Sequence, residues 1–255
     1  MSGYAELAAR YDAYVDTYRG ADGVLPEMMR LKRDHTDRVV ANATLVADAE
    51  DFSEPERHAA LAAALLHDTG RYEQLKRYNT FKDSDSVDHA VFSHDIVRDL
   101  GWLAGWPDAD AILKAVLYHN RRDLPEGMDA LTAVAAHTVR DADKLDIFRV
   151  LEERTAKPDW KTDTRAFWNL QIVADPNPEV VACIEKGQPV DYQSIQSLAD
   201  FVLIQVGWMI SGLHFATSRR LCAARGHLAF RRQFLKELSS SPAIDRLCDL
   251  AEKGL

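Results

Sequence analysis

Cysteine is scarce in this chain of 255 residues: Cys183, Cys222 and Cys248 lie far apart, and no two of them form a CxxC pair. Neither a disulfide framework nor a thiolate zinc site is expected, and a reducing, cytoplasmic setting fits this usage best. Long apolar runs are missing as well. The most apolar stretch, Phe201 to Phe215, is broken by Gln205, Gly207, Ser211 and Gly212, so it reads as a buried helix rather than a bilayer span. Met1 to Arg10 has no basic start followed by an apolar core, and no signal peptide is expected there. Blocks of like charge are also lacking. A net charge of -9 from interspersed acids and bases argues against a protein built to coat extended nucleic acid or an anionic membrane. A small anionic molecule remains an acceptable partner if local cations offset the global field. No internal repeat and no low-complexity tract is present.

What the chain does contain is helical periodicity almost throughout, and the expected fold class is all-α. Residues 27–49 carry Met28, Leu31, Val39 and Val46 at helical spacings, with His35 on that stripe. Ser53-Glu54-Pro55-Glu56 is a capping box with proline in the first turn, opening an Ala/Leu-rich helix that runs to His67-Asp68 and is stopped by Gly70. Arg71 to Asp85 reads as a polar loop. Ser86 then caps a helix bearing His89, Phe92, Ser93, Ile96 and Leu100 that ends near Gly101. Asp108 starts another, aligning Ile112, Val116 and His119. Residues 120–129 form a connector, and 131–154 a long helix with Val139, Asp143 and Ile147 at four-residue steps. Loops around short helices follow from Lys157 to Gln193, and one or two long helices from Ser197 close the chain. This amounts to a single all-α domain, with a core over 25–155 and a helical extension over 156–255.

The most informative residues are His67 and Asp68, adjacent at the end of an apolar helix. Neighbouring helical side chains point about 100° apart, so the pair can reach around one ion or touch two. His35, His89, His119 and Asp143 lie on or beside the apolar stripes of other helices. Each alone has a plain alternative, a hydrogen-bonded core histidine or a salt-bridged aspartate. Together, donors on five successive helices point to metal, because ionisable groups aimed at a core need partners. His94 competes with His89 for the third histidine position. His58, His137, His214 and His227 have no such ordered setting. The set contains imidazole and carboxylate but no thiolate, which suits one or two divalent ions of iron, manganese, cobalt, nickel, zinc or magnesium.

The order His35, His67-Asp68, Asp143 resembles the HD-domain superfamily of metal-dependent phosphohydrolases. Ala-Leu-Leu-His-Asp-Thr-Gly-Arg is similar to that family's His-Asp segment, and Arg140 to Asp146 to its last motif; the resemblance covers roughly residues 25–155. His89 and His119 look like the added pair of a six-ligand subset that holds two metals, and Ser93 with Ile96-Val97 fits the spacing that follows its third histidine. The resemblance implies that Asp68 bridges, that His35, His67 and Asp143 complete one site, and that His89 and His119 hold the other. It also implies hydrolysis of a nucleotide or other small phosphate ester by a metal-bound hydroxide. Asp68 and Arg71 are the expected catalytic residues, Arg71 as a bidentate phosphate ligand with a helix-end surface arginine as its alternative. Lys76, Arg77, Arg121 and Arg122 are candidates for the pocket rim.

Cyclic-dinucleotide hydrolases of the superfamily carry a second histidine and a Gly-Tyr-Pro element after the fourth histidine. Here Asn120-Arg121-Arg122-Asp123-Leu124-Pro125 follows His119, which speaks against that substrate. Two other functions remain open: a di-iron oxygenase of the superfamily, which needs the same donors, and a non-enzymatic nucleotide sensor, against which the intact donor set argues. Residues 156–255 lie outside the motifs, with pocket shaping or a homodimer interface as the roles open to them. Trp208 and Phe215 read as core aromatics.

Overall fold

The computed structural model describes residues 2–162, 167 and 169–255. Its elements are α1 (Ser2–Asp16), α2 (Glu27–Ala49), α3 (Glu54–Leu66), α4 (Gly70–Tyr78), α5 (His89–Asp99), α6 (Ala109–Tyr118), α7 (Ala130–Thr155), α8 (Pro178–Glu185), α9 (Leu198–Gly207), α10 (Ala216–Ala224), α11 (His227–Leu238) and α12 (Ala243–Gly254). The fold is all-α: among the described residues the sole extended pairing is an isolated bridge between Gln171 and Ser197. No helix among them is long and apolar enough to cross a membrane. The chain divides into two compact units, Met1–Asp143 and Lys144–Leu255, and the division falls inside α7.

The first unit buries the inward faces of α1 to α6 and the first half of α7. Leu7, Tyr11 and Val15, spaced four apart, seal α1 against this core. Tyr11 OH lies 2.9 Å from Tyr72 OH and 3.2 Å from Thr36 Oγ1, so the phenol is satisfied where water is excluded. On α2 the buried face runs through Met29, His35, Val39, Ala43 and Val46. Met28 and Leu31, expected on that stripe, are exposed instead; both lie near the N-terminal end of α2, while His35, Val39 and Val46 further along keep to the buried face. The capping box of α3 forms as the sequence indicates, with Glu56 accepting from the Ser53 backbone N–H at 2.8 Å.

Three local expectations need correction. Arg71 to Asp85 is not a loop throughout, since Gly70 to Tyr78 forms α4, a polar helix that buries Tyr72 and Gln74. Gly70 accordingly begins a helix rather than ending one. It is required by proximity: a Cβ there would lie 2.7 Å from the Ser93 backbone nitrogen, and Gly70 N–H donates to Ser93 Oγ at 2.8 Å. The cap of α5 is Asp88, which accepts from Ala90 N at 3.0 Å, whereas Ser86 Oγ takes a hydrogen bond from Gln74 at 2.9 Å.

The second unit is built on α9, whose Leu198, Ala199, Val202, Leu203, Ile204 and Val206 are buried nearly all round. Ser197 and Asp200 close its N-terminus as a capping box. Four helices, α9 to α12, close the chain where one or two were expected. A π-helical turn at Trp208–Gly212, the left-handed Gly226 (φ 73°) and Pro242 divide what periodicity alone reads as continuous. Arg231, fully buried, donates to Glu152 Oε1, the Phe148 carbonyl and Gln205 Oε1, each at 2.8 Å, and stacks over the Phe148 ring.

Replacing Gly70 by alanine should cost about 1–3 kcal/mol, because the new Cβ meets backbone that cannot yield without moving α5. Thermal melting checks this, at about 2–4 °C per kcal/mol for a chain of this size. An unchanged melting temperature would refute the close-approach argument.

Candidate metal centre

All six expected donors converge within the first unit. α2 contributes His35 from its buried face, His67 caps the C-terminus of α3 with Asp68 next to it, α5 begins at His89, His119 caps the C-terminus of α6, and α7 carries Asp143. The helix ends matter, because a terminal turn lets a short side chain reach across the gap between helices. His35, His67, Asp68, His89 and His119 are all buried, and the Asp143 side chain is 18% exposed.

The donors form two halves that share Asp68. In one half, His35 Nε2 lies 3.1 Å from Asp143 Oδ1, 3.4 Å from His67 Nε2 and 3.7 Å from Asp68 Oδ2. In the other, His89 Nε2 lies 3.0 Å from His119 Nε2 and 3.7 Å from Asp68 Oδ1, which is 3.9 Å from His119 Nε2. Ligands about 2.0–2.2 Å from a common ion stand about 3.0–3.5 Å apart, close to these separations.

Hydrogen bonding fixes the protonated Nδ1 of three of the four rings. His67 Nδ1 faces the Ala64 carbonyl at 2.8 Å and His119 Nδ1 faces the Val116 carbonyl at 2.7 Å. Carbonyls only accept, so both Nδ1 atoms carry the proton and both Nε2 lone pairs point into the cluster. His89 Nδ1 is held in the same way by the Asp83 carboxylate. Two bare nitrogens 3.0 Å apart repel unless a metal cation or a shared proton sits between them. Asp68 Oδ1 is a buried oxygen with no hydrogen-bond partner, which a cation would also satisfy. The residues present therefore fit a bound divalent ion in either half.

Electrostatics keep the donors in their ligating forms. Burial pushes the His67 imidazole below its ordinary value, and burial with the His89 and His67 rings holds His119 well below it. Burial alone would raise Asp68, but Lys32 first, then His67, Arg71 and His89, hold its carboxyl well below the usual range. Asp143 is likewise lowered against its burial, chiefly by His35.

Lys32 and Asp83 belong to this neighbourhood and have no place among the expected site residues. Lys32 Nζ donates to Asp68 Oδ2 at 2.7 Å. One helical turn before His35, it shares that residue's face, and this i, i+3 spacing is the signal that could have found it. Asp83 lies on the loop after α4, where no periodicity points to it. A grouping of Asp83, Asp88 and His89 has metal-like spacing, but Asp83 is engaged by Arg71 and Gln74, and Asp88 by the cap of α5 and by Asn120. Arg71 is largely buried: its Nη1 donates to Asp83 at 2.9 Å, to Gln74 at 2.8 Å and to the Phe81 carbonyl at 2.6 Å. His94 lies apart, bonded to Asp95 at 3.0 Å. Arg77 pairs with Glu73, Arg121 approaches Asp88 and Arg122 pairs with Asp123, while Lys76 lies 3.9 Å from Glu73.

Elemental analysis of Asp68→Ala should find no tightly held metal, because both halves lose their shared carboxylate. His89→Ala should lose one ion preferentially, and His94→Ala none. Wild-type metal content in Asp68→Ala would sink the assignment. Metal-free protein should also lose stability as the pH falls below about 6.5, the ordinary histidine value, because the unfolded chain takes protons that His67 and His119 refuse when folded. Melting of metal-free protein at pH 7 and pH 5.5 measures this, and equal stability would contradict it.

Comparison with known proteins agrees with this geometry. Residues 33–147 match the family model for the HD domain. Neither the curated proteins nor the solved structures compared with the chain gave a match. HD domains bind divalent metals, their fold is all-α, and the family generally contains metal-dependent phosphohydrolases. The stretch from 33 to 147, which spans all six donors, belongs to the HD domain family.

Proposed function

We propose that the first unit is a metal-dependent phosphohydrolase acting on a small phosphate ester, with nucleotides as the leading candidates. The observation that carries this reading is the pairing of two donor triads on Asp68 with the Arg71 guanidinium beside them, its Nε free of hydrogen bonds. Bound divalent ions would supply Lewis acidity at a phosphoryl oxygen and lower the pKa of a water.

The chain's own residues orient the substrate. Arg71 Nη1 is saturated by three acceptors, which fixes the guanidinium plane. Its Nε is buried without a hydrogen bond, 3.4 Å from Asp68 Oδ1. Nε and Nη2 form the edge that binds two oxygens of a phosphate side by side. Lys32 neutralises Asp68 from the opposite oxygen. Asp68, Asp83 and Asp143 against Lys32 and Arg71 leave one net negative charge in the cluster. Two divalent ions would convert this to a net positive site, which favours an anion over a neutral molecule.

The test is release of inorganic phosphate from a panel of nucleotides and other phosphate esters by metal-loaded protein. Arg71→Lys keeps the charge and loses the planar edge, so KM should rise at least about tenfold, with metal content retained. Protein that carries two irons and consumes dioxygen without releasing phosphate would overturn the hydrolase in favour of an oxygenase.

A further inference from the structure

Asp83 is not one of the six donors, yet its two oxygens serve different masters. Oδ2 lies 2.5 Å from His89 Nδ1, and Oδ1 accepts from Arg71 Nη1 at 2.9 Å and Gln74 Nε2 at 3.0 Å. Gln74 is fully buried and also donates to Ser86 Oγ and the Val87 carbonyl, so it pins the loop carrying Asp83 onto α4. The carboxylate is held from one side by two donors and is left to accept on the other. Its orientation is set by Arg71 and Gln74 on one oxygen and by a longer contact, 3.4 Å, from the His89 backbone N–H on the other, independently of the His89 ring.

We propose that Asp83 is a positioning residue that selects the metal-binding tautomer of His89. A carboxylate has no proton to offer, so the ring must place its hydrogen on Nδ1 and leave Nε2 bare toward His119 and Asp68 Oδ1. The proposal rests on reading the six donors as two ion sites. Because the same carboxylate anchors Arg71, the anion-facing edge and the His89 half share one support.

Asparagine at position 83 separates this role from mere packing. Arg71 and Gln74 donate to the Oδ1 position at 2.9 and 3.0 Å, against a single 3.4 Å contact from the His89 backbone N–H at Oδ2, so they hold the amide oxygen at Oδ1 and turn its NH2 toward His89. The ring must then accept at Nδ1 and carry its proton on Nε2, where an ion would bind. Alanine leaves the tautomer free. Asp83→Asn, nearly isosteric, should therefore damage the His89 half more than Asp83→Ala does.

Metal-free wild type, Asp83→Asn, Asp83→Ala and His89→Ala would be titrated with cobalt(II), followed by calorimetry and visible absorption. Wild type should take up two equivalents. In Asp83→Asn the equivalent that His89→Ala removes should weaken by about 10–100-fold or more, in Asp83→Ala by less, and the other equivalent should stay within about twofold. The proposal is overturned if Asp83→Asn binds both equivalents as wild type does, if both weaken alike, or if alanine is the more damaging change. Uptake of a single equivalent by wild type would instead overturn the two-ion reading on which the proposal stands.

Discussion

Asp68 is a carboxylate buried to 3% exposure among four buried histidines, and this burial is the constraint around which the first unit is arranged. An unpaired charge there would cost several kcal/mol. Lys32 on one oxygen meets part of that need, and the other oxygen faces Arg71 Nε at 3.4 Å without a hydrogen bond. The surroundings follow from keeping this group charged: the α3 helix must end where it does to present Asp68, α4 must start at once to bring Arg71 back, and Gly70 must be small so that α5 can approach with His89.

Alanine is the dominant residue of α3, and it has a structural consequence. Ala59, Ala60, Ala62, Ala63 and Ala64 are fully buried, so α2 and α6 can pack close to α3. Short side chains in the wall shorten the distance that His35 and His119 must span. Larger residues would fill the same core but would hold the donors farther apart. The apolar shell then excludes water, so the bare nitrogens keep their lone pairs for an ion.

Much of this was legible in the sequence, because donors on apolar stripes contradict their surroundings and a periodic helix shows which face they share. His35, His67, Asp68, His89, His119 and Asp143 could be read in that way, as could the capping box at Ser53. The helix α4 could not, since its inward face consists of Tyr72, Leu75 and a glutamine. Gln74 is buried only because the loop wraps back to accept its amide hydrogens. Asp83 is invisible for the same reason: its role exists only once that loop has closed. For the C-terminal helices, periodicity continued across the breaks, and only the backbone at the π turn and Gly226 reveals them.

The two halves of the centre draw on residues separated by about a hundred positions, from His35 to Asp143. In the unfolded chain these donors are scattered, so an ion has little to gain from binding there, and metal supply becomes a term in the stability of the finished fold. A bound ion would act as a removable clasp across long stretches of backbone, comparable in effect to a crosslink that closes a large loop. Removing it would leave the fold looser and more open to proteolysis.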